Sequence, residues 1–176
     1  MRRDEEVGFS LIELLIVVAI ILIIAAISIP NLLRSRMAAN EASAVGSIRT
    51  LNVAALEYQS TYGAFPAALS QVGTTAGASL GCNNAELVDA VLTGGNKSGY
   101  SLNLVPGTQA VVASLVPKGC TPGFNDGYVV IANPISIGTT GQRAFCSDAT
   151  GVIRANPTGT ALYTSPLCDQ TQSPLQ

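Results

Sequence analysis

The stretch from Gly8 to Pro30, GFSLIELLIVVAIILIIAAISIP, constrains this chain more than any other. Between Phe9 and Ile29 the only charged residue is Glu13. About 20 apolar residues at a 1.5 Å rise cross a ~30 Å hydrocarbon core, so the stretch reads first as a membrane-spanning helix. Glu13 is the anomaly. A lone carboxylate in a bilayer costs roughly 2.5–3.5 kcal/mol and calls for a partner. The polar segment ahead of the run, MRRDEEVG, is short and ends in Gly8.

Two plainer readings fit less well. A cleaved secretory signal has a shorter apolar core, followed by a small-residue cleavage site. The residues that follow here, SIPNLLRSRM, offer none, and Ala38 and Ala39 are weak candidates. A signal anchor that keeps its leader has no use for Glu13.

Leader length, Gly8, Phe9, Glu13, the apolar run and Pro30 stand in one order. In that order they resemble the N-terminus of type IV pilins and the related type II secretion pseudopilins. The resemblance covers about the first third of the chain. It implies an α+β pilin fold: a long N-terminal α-helix, its lower half transmembrane, packed on a small antiparallel sheet of about four strands. It also implies that a prepilin peptidase cuts between Gly8 and Phe9, that the new Phe9 amine is N-methylated, and that Glu13 serves assembly. The implied partners are the lipid bilayer, the peptidase, an inner-membrane assembly platform and further copies of the chain in a homo-oligomeric filament. Implied localisation is the inner membrane, single pass with the N-terminus cytoplasmic, and then an extracellular pilus.

The expected segments are a leader (1–8), a transmembrane and assembly helix (9–30), an amphipathic continuation (31–63) and a globular αβ-loop and sheet domain (64–176). Orientation does not follow from Lys and Arg, because Arg2 and Arg3 before the run balance Arg34 and Arg36 after it. The cleavage motif decides it. Pro30 lacks an N–H and is expected to bend or locally open the helix. One departure from the family pattern is Leu22, where a glycine eight residues before the proline is common.

Beyond Asn31 the residues Val45, Ile48, Leu51, Ala55, Tyr58 and Tyr62 recur at steps of three or four and make one apolar face. Arg36, Asn40, Glu41, Ser47, Arg49 and Gln59 mark the opposite side. Gly46 costs about 1 kcal/mol in a helix relative to Ala and leaves room for another chain. Gly63, followed by Pro66, predicts the helix end. A loop is expected over 64–84. A short helix is expected next, capped by Asn83 with Glu86 in a capping-box spacing, with Leu87, Val88, Val91 and Leu92 as its face and Gly94 and Gly95 as its end.

From Tyr100 the period shortens. YSLNLV, QAVVASLV, GYVVIAN, RAFCSD and GVIRA read as strands of an antiparallel meander of about four. Leu102, Val112, Leu115, Val130, Phe145 and Ile153 are the expected core. The tail from Asn156 is expected to be irregular, tied down by Cys168.

Cys82, Cys120, Cys146 and Cys168 all follow the apolar run. An even count outside the cytoplasm favours two disulfides. Three pairings are possible, with the nearest-neighbour one favoured. The pilin resemblance adds that Cys146–Cys168 closes the C-terminal end. No pair has the spacing of a zinc or redox site.

The chain has no His, a net charge of −2 and 11% charged residues. That removes the commonest general base and any basic surface for nucleic acid. Asp126, Asp148 and Asp169 read as turn acids, with a calcium site at Asp126 or Asp148 a remote option. No catalytic set, cofactor motif or metal signature is present. Three functional readings follow: a type IV pilus subunit for adhesion or twitching motility, a type II secretion pseudopilin, and a membrane-anchored periplasmic binding module.

Overall fold

The computed structural model describes residues 9–75, 77–111, 120, 123 and 126–175. The leader with Gly8, Phe124, and residues 112–116 of the expected second strand, with Val112 and Leu115, lie outside the described residues. The chain forms two compact units, with the boundary between Arg36 and Met37.

One helix, α1 (Leu11–Tyr62), runs through both units. In the first unit it carries exposed Leu, Ile and Val from Leu11 to Leu33. Pro30 lies within it, and helical structure continues on either side. Pro30 supplies no N–H to the carbonyl of Ala26. The Asn31 side chain donates through Nδ2 to the next carbonyl, that of Ile27, at 3.1 Å. The helix stops where the sequence predicts: Gly63 takes φ +77°, and its N–H donates to the Gln59 carbonyl at 2.8 Å. Glycine reaches this left-handed conformation without a Cβ clash, which is why it ends helices.

Two short helices follow, α2 (Leu69–Val72) and α3 (Ala90–Thr93). The first falls in the expected loop. The second corrects the expected helix from Asn83, because Asp89 is its cap and accepts from the Leu92 N–H at 2.8 Å. The residues ahead of it are engaged elsewhere. The N–H groups of Ala85, Glu86, Leu87 and Val88 donate to carbonyls of Gln71, Gly73 and Val72, and Glu86 has φ +54°. Backbone already bonded to another segment cannot close a helical turn. The end at Gly94 stands as expected.

The strands are β1 (Asn96–Lys97), β2 (Tyr100–Pro106), β3 (Tyr128–Pro134), β4 (Ala144–Asp148), β5 (Ile153–Asn156), β6 (Tyr163–Thr164), β7 (Leu167–Cys168) and β8 (Ser173–Pro174). They form a six-stranded antiparallel sheet in the order β1-β2-β3-β4-β5-β8 and a separate β6–β7 hairpin. The expected meander is its centre, with a two-residue strand added at each edge. The register sets Leu104 against Val130, Ala132 against Phe145, and Phe145 against Ala155. Side chains alternate across a strand, so these residues share one face.

That face packs on Ala44, Ile48, Leu51, Ala54, Ala55 and Tyr58 of α1 in one core, together with the expected Leu102, Val130, Phe145 and Ile153. The opposite face is covered too. Val129, Ala144 and Cys146 pack with Ala161 and Cys168 from the tail. The tail is therefore ordered over its described length, in place of the irregular segment expected. Cys82 pairs with Cys120 and Cys146 with Cys168, at Cα separations of 5.6 and 6.1 Å.

Candidate assembly site

The first turn of α1 is built from Ser10 and Glu13. The Glu13 Oε2 accepts from the Ser10 N–H at 2.9 Å, and the Ser10 carbonyl accepts from the Leu14 N–H at 3.2 Å. Glu13 thus occupies the reaching-back position of a capping box, satisfying one of the N–H groups that a helix start leaves orphaned. The carboxylate also meets the positive end of the helix dipole. The sequence signal for this cap is Ser-x-x-Glu just ahead of an apolar run. Phe9 precedes this turn and is 76% exposed.

The large apolar side chains that follow, from Leu11 to Leu33, have no shelter: Leu11, Ile16, Ile23 and Ile29 are all exposed. This is an apolar surface far beyond what a soluble monomer displays. By length and composition the helix suffices to cross a membrane. Arg34 and Arg36 follow the apolar stretch within the same helix and are exposed.

In the second unit, two residues placed by sequence on the polar side of α1 are buried, Glu41 and Ser47. Glu41 explains itself. Its Oε1 accepts from the N–H groups of Gln142 (2.9 Å) and Arg143 (3.1 Å), and its Oε2 accepts from Arg143 Nε (2.9 Å) and lies 2.8 Å from Arg143 Nη2. Burial opposes its charge. The Gln142 N–H, the Arg143 guanidinium and the Arg143 N–H outweigh it and hold the carboxyl below its ordinary value. One residue earlier the Asn40 side-chain amide donates to the Thr140 carbonyl at 2.8 Å. Ser47 turns its hydroxyl back to the Ser43 carbonyl at 2.9 Å.

A second polar junction lies deeper. The Asn52 amide donates to Ser147 Oγ at 2.8 Å, and the Tyr128 hydroxyl donates to Asn52 Oδ1 at 3.3 Å. Burial, with Asp148 adding, pushes the Tyr128 hydroxyl up to about 12; burial, with Tyr62 adding, does the same for Tyr58. Both therefore serve as neutral donors, Tyr58 to the Cys82 carbonyl at 2.7 Å.

The three turn acids bond to nearby N–H groups. Asp126 accepts from Thr108 and Gln109, Asp148 from Thr150, and Asp169 from Thr171. Asp148 also accepts from the Cys168 N–H at 3.0 Å and so holds the tail to β4. Among the described residues no three His, Cys, Asp or Glu side chains gather in a way that could hold a metal ion.

Of the residues singled out by sequence, Phe9 and Glu13 share the start of one helix, Pro30 lies further along it, and the four cysteines form two pairs. Gly8 lies outside the described residues.

No protein-family model matches the chain, and no solved structure matches it. Over 34 residues, 19% of its length, it is 68% identical to the type IV wide pilus major component PilA4 of Thermus thermophilus. The match spans about a quarter of that relative, 26% of its length. The long apolar N-terminal helix and the antiparallel sheet fit the pilin layout.

Proposed function

We propose that this chain is a structural, non-enzymatic subunit of a type IV pilus, anchored in the membrane by residues 9–30 before it joins a filament of like subunits. The observation that carries this reading is the unburied apolar surface of α1 from Leu11 to Leu33. Lipid covers such a surface before assembly, and other helices cover it afterwards. The similarity to a pilus component supports it.

In this reading prepilin peptidase removes the leader 1–8 between Gly8 and Phe9, and Phe9 is then N-methylated. An inner-membrane platform assembles the subunits. Residues 31–63 carry the sheet domain, 64–176, which forms the outer coat. The filament serves adhesion or twitching motility.

Cleavage leaves an ammonium on Phe9, one residue ahead of Ser10. Glu13 is the only carboxylate in this stretch to neutralise it, in the same chain or a neighbour. Either charge alone in apolar surroundings costs several kcal/mol, whereas a pair costs much less. A helix that docks out of register leaves both unpaired, so the pair selects alignment. The capping geometry leaves Glu13 Oε1 available, since Oε2 faces Ser10.

The test combines mass spectrometry of the mature N-terminus with electron microscopy of surface filaments. The expected result is a chain that begins at methylated Phe9 and filaments that vanish in Glu13→Leu, while that variant is still cleaved and retained in the membrane. Filaments built from uncleaved precursor overturn the reading. Correct processing without surface filaments moves the chain to the secretion pseudopilins.

A further inference from the structure

The first unit carries two arginines at its end, Arg34 and Arg36, both exposed. Among the described residues neither makes a hydrogen bond or an ion pair. The chain holds no acid between Glu13 and Glu41, so neither has an acidic neighbour within its own turns of helix. Two residues apart on a helix, they differ by about 3 Å in height and by about 200° in direction. They therefore girdle α1 at one level and do not form a patch on one side. A protein partner docks on one side of a helix. A layer of lipid headgroups surrounds it.

The level of the girdle is set by length. Between Glu13 and Arg34 lie the 20 uncharged residues Leu14–Leu33, in unbroken helix. At 1.5 Å each they measure about 30 Å, the thickness of a hydrocarbon core. Their large apolar side chains are exposed from end to end, Leu14 and Leu33 included. Asn31, in the last turn of the stretch, gives its Nδ2 to the Ile27 carbonyl and so turns that donor back onto the helix. The charges thus stand just outside a length of helix that fits the core of a bilayer.

We propose that Arg34 and Arg36 bind the phosphates of anionic phospholipids in the leaflet where the span ends, and so fix the span at Leu14–Leu33. This rests on the membrane-span part of the reading above. Arginine suits the task. Its apolar stem lies along hydrocarbon while the guanidinium reaches the headgroups and donates two parallel hydrogen bonds to a phosphate. In this register Glu13 lies at the opposite boundary, where water still reaches it. Its carboxylate enters fully apolar surroundings only when the subunit leaves the bilayer.

The chain has no Trp, so Leu33→Trp, beside Arg34, places a sole reporter. The full-length chain is reconstituted into vesicles of equal parts phosphatidylcholine and phosphatidylglycerol, with bromine on the acyl chains of one lipid or of the other. Brominated phosphatidylglycerol is expected to quench more, reflecting a preference of about fivefold for each arginine. Arg34→Ala with Arg36→Ala is expected to bring the two lipids level. Equal quenching by both lipids, in unsubstituted arginine background and in protein that floats with the vesicles, overturns the proposal. So does a preference that survives in the double variant. Weak quenching by either lipid that strengthens as protein is diluted in lipid assigns this level to a second copy, and also overturns it. Ile23→Trp checks the register, because Ile23 stands midway along Leu14–Leu33. Bromine at the chain ends is expected to quench it most, and stronger quenching by bromine next to the headgroup overturns the register. Protein that fails to float overturns the span reading, and this proposal with it.

Discussion

Glu41 and Arg143, 102 residues apart, meet as a two-pronged pair in which each oxygen of the carboxylate accepts from two groups of the β3–β4 loop and its end. The guanidinium plane matches the carboxylate, a geometry that lysine cannot reproduce. Glu41→Gln keeps the shape and loses the charge. With Arg143 half exposed, solvent screening limits the loss to about 2 kcal/mol. Thermal unfolding of the full chain in detergent checks this, and Arg143→Lys is expected to fall between.

The same pair sets a pH dependence. The folded Glu41 carboxyl titrates below its ordinary value of 4.5. The unfolded chain therefore takes up the proton first as pH falls, so the pair's contribution is full above about 4.5 and disappears as pH drops through the folded value. Unfolding curves from pH 7 to pH 3, with ~0.1 M salt to screen remoter charges, are expected to show a slope for the native chain that Glu41→Gln reduces.

Asn52 links α1 to two strands at once, through Ser147 and Tyr128. Asn52→Ala removes the partner of the Ser147 hydroxyl and leaves the Tyr128 hydroxyl only the backbone carbonyl of residue 52, 3.4 Å away, at a cost of about 2 kcal/mol. Tyr128→Phe in the Asn52→Ala background is expected to cost less than Tyr128→Phe alone. A double-mutant cycle reads this coupling, and simple additivity would refute the shared network.

The Cys146–Cys168 bond closes a separation of 22 residues and fixes the tail over the outer face of the sheet. Cys146→Ser with Cys168→Ser is expected to lower stability by about 3 kcal/mol. Proteolysis is expected to begin after Ala161, where that tail packs. Cleavage that starts instead within the central strands would contradict this order of opening.

Gly46 faces open space: a methyl group added there meets no atom within 4 Å. Gly46→Ala is therefore expected to stabilise the subunit by about 1 kcal/mol, through helix propensity alone. If a neighbouring helix approaches closely at this point, the same change lowers filament yield. Melting in detergent and filament counts by microscopy measure the two effects separately.

The elements legible in the sequence are those with local causes. The stripe through Ile48, Leu51, Ala55 and Tyr58 follows from a period of 3.6, and all four are buried as read. Gly63 stops the helix for reasons contained in its own backbone. Glu41 and Asn52 were illegible because the partners that make their burial tolerable lie 102 and 95 residues away. Asn83 and Glu86 misled because a capping box is a local pattern, and pairing with residues 71–73 overrode it. The tail looked irregular because its cover over the sheet depends on one distant disulfide and on Asp148.

Among the described residues the sheet ends on both sides in strands of two residues, and β8 finishes in Pro174, which offers no N–H. Such stubs give an approaching strand almost nothing to pair with. In the filament proposed above, copies crowded along a shaft would touch through side chains while their backbones stay unzipped, so crowding need not end in amyloid-like fusion.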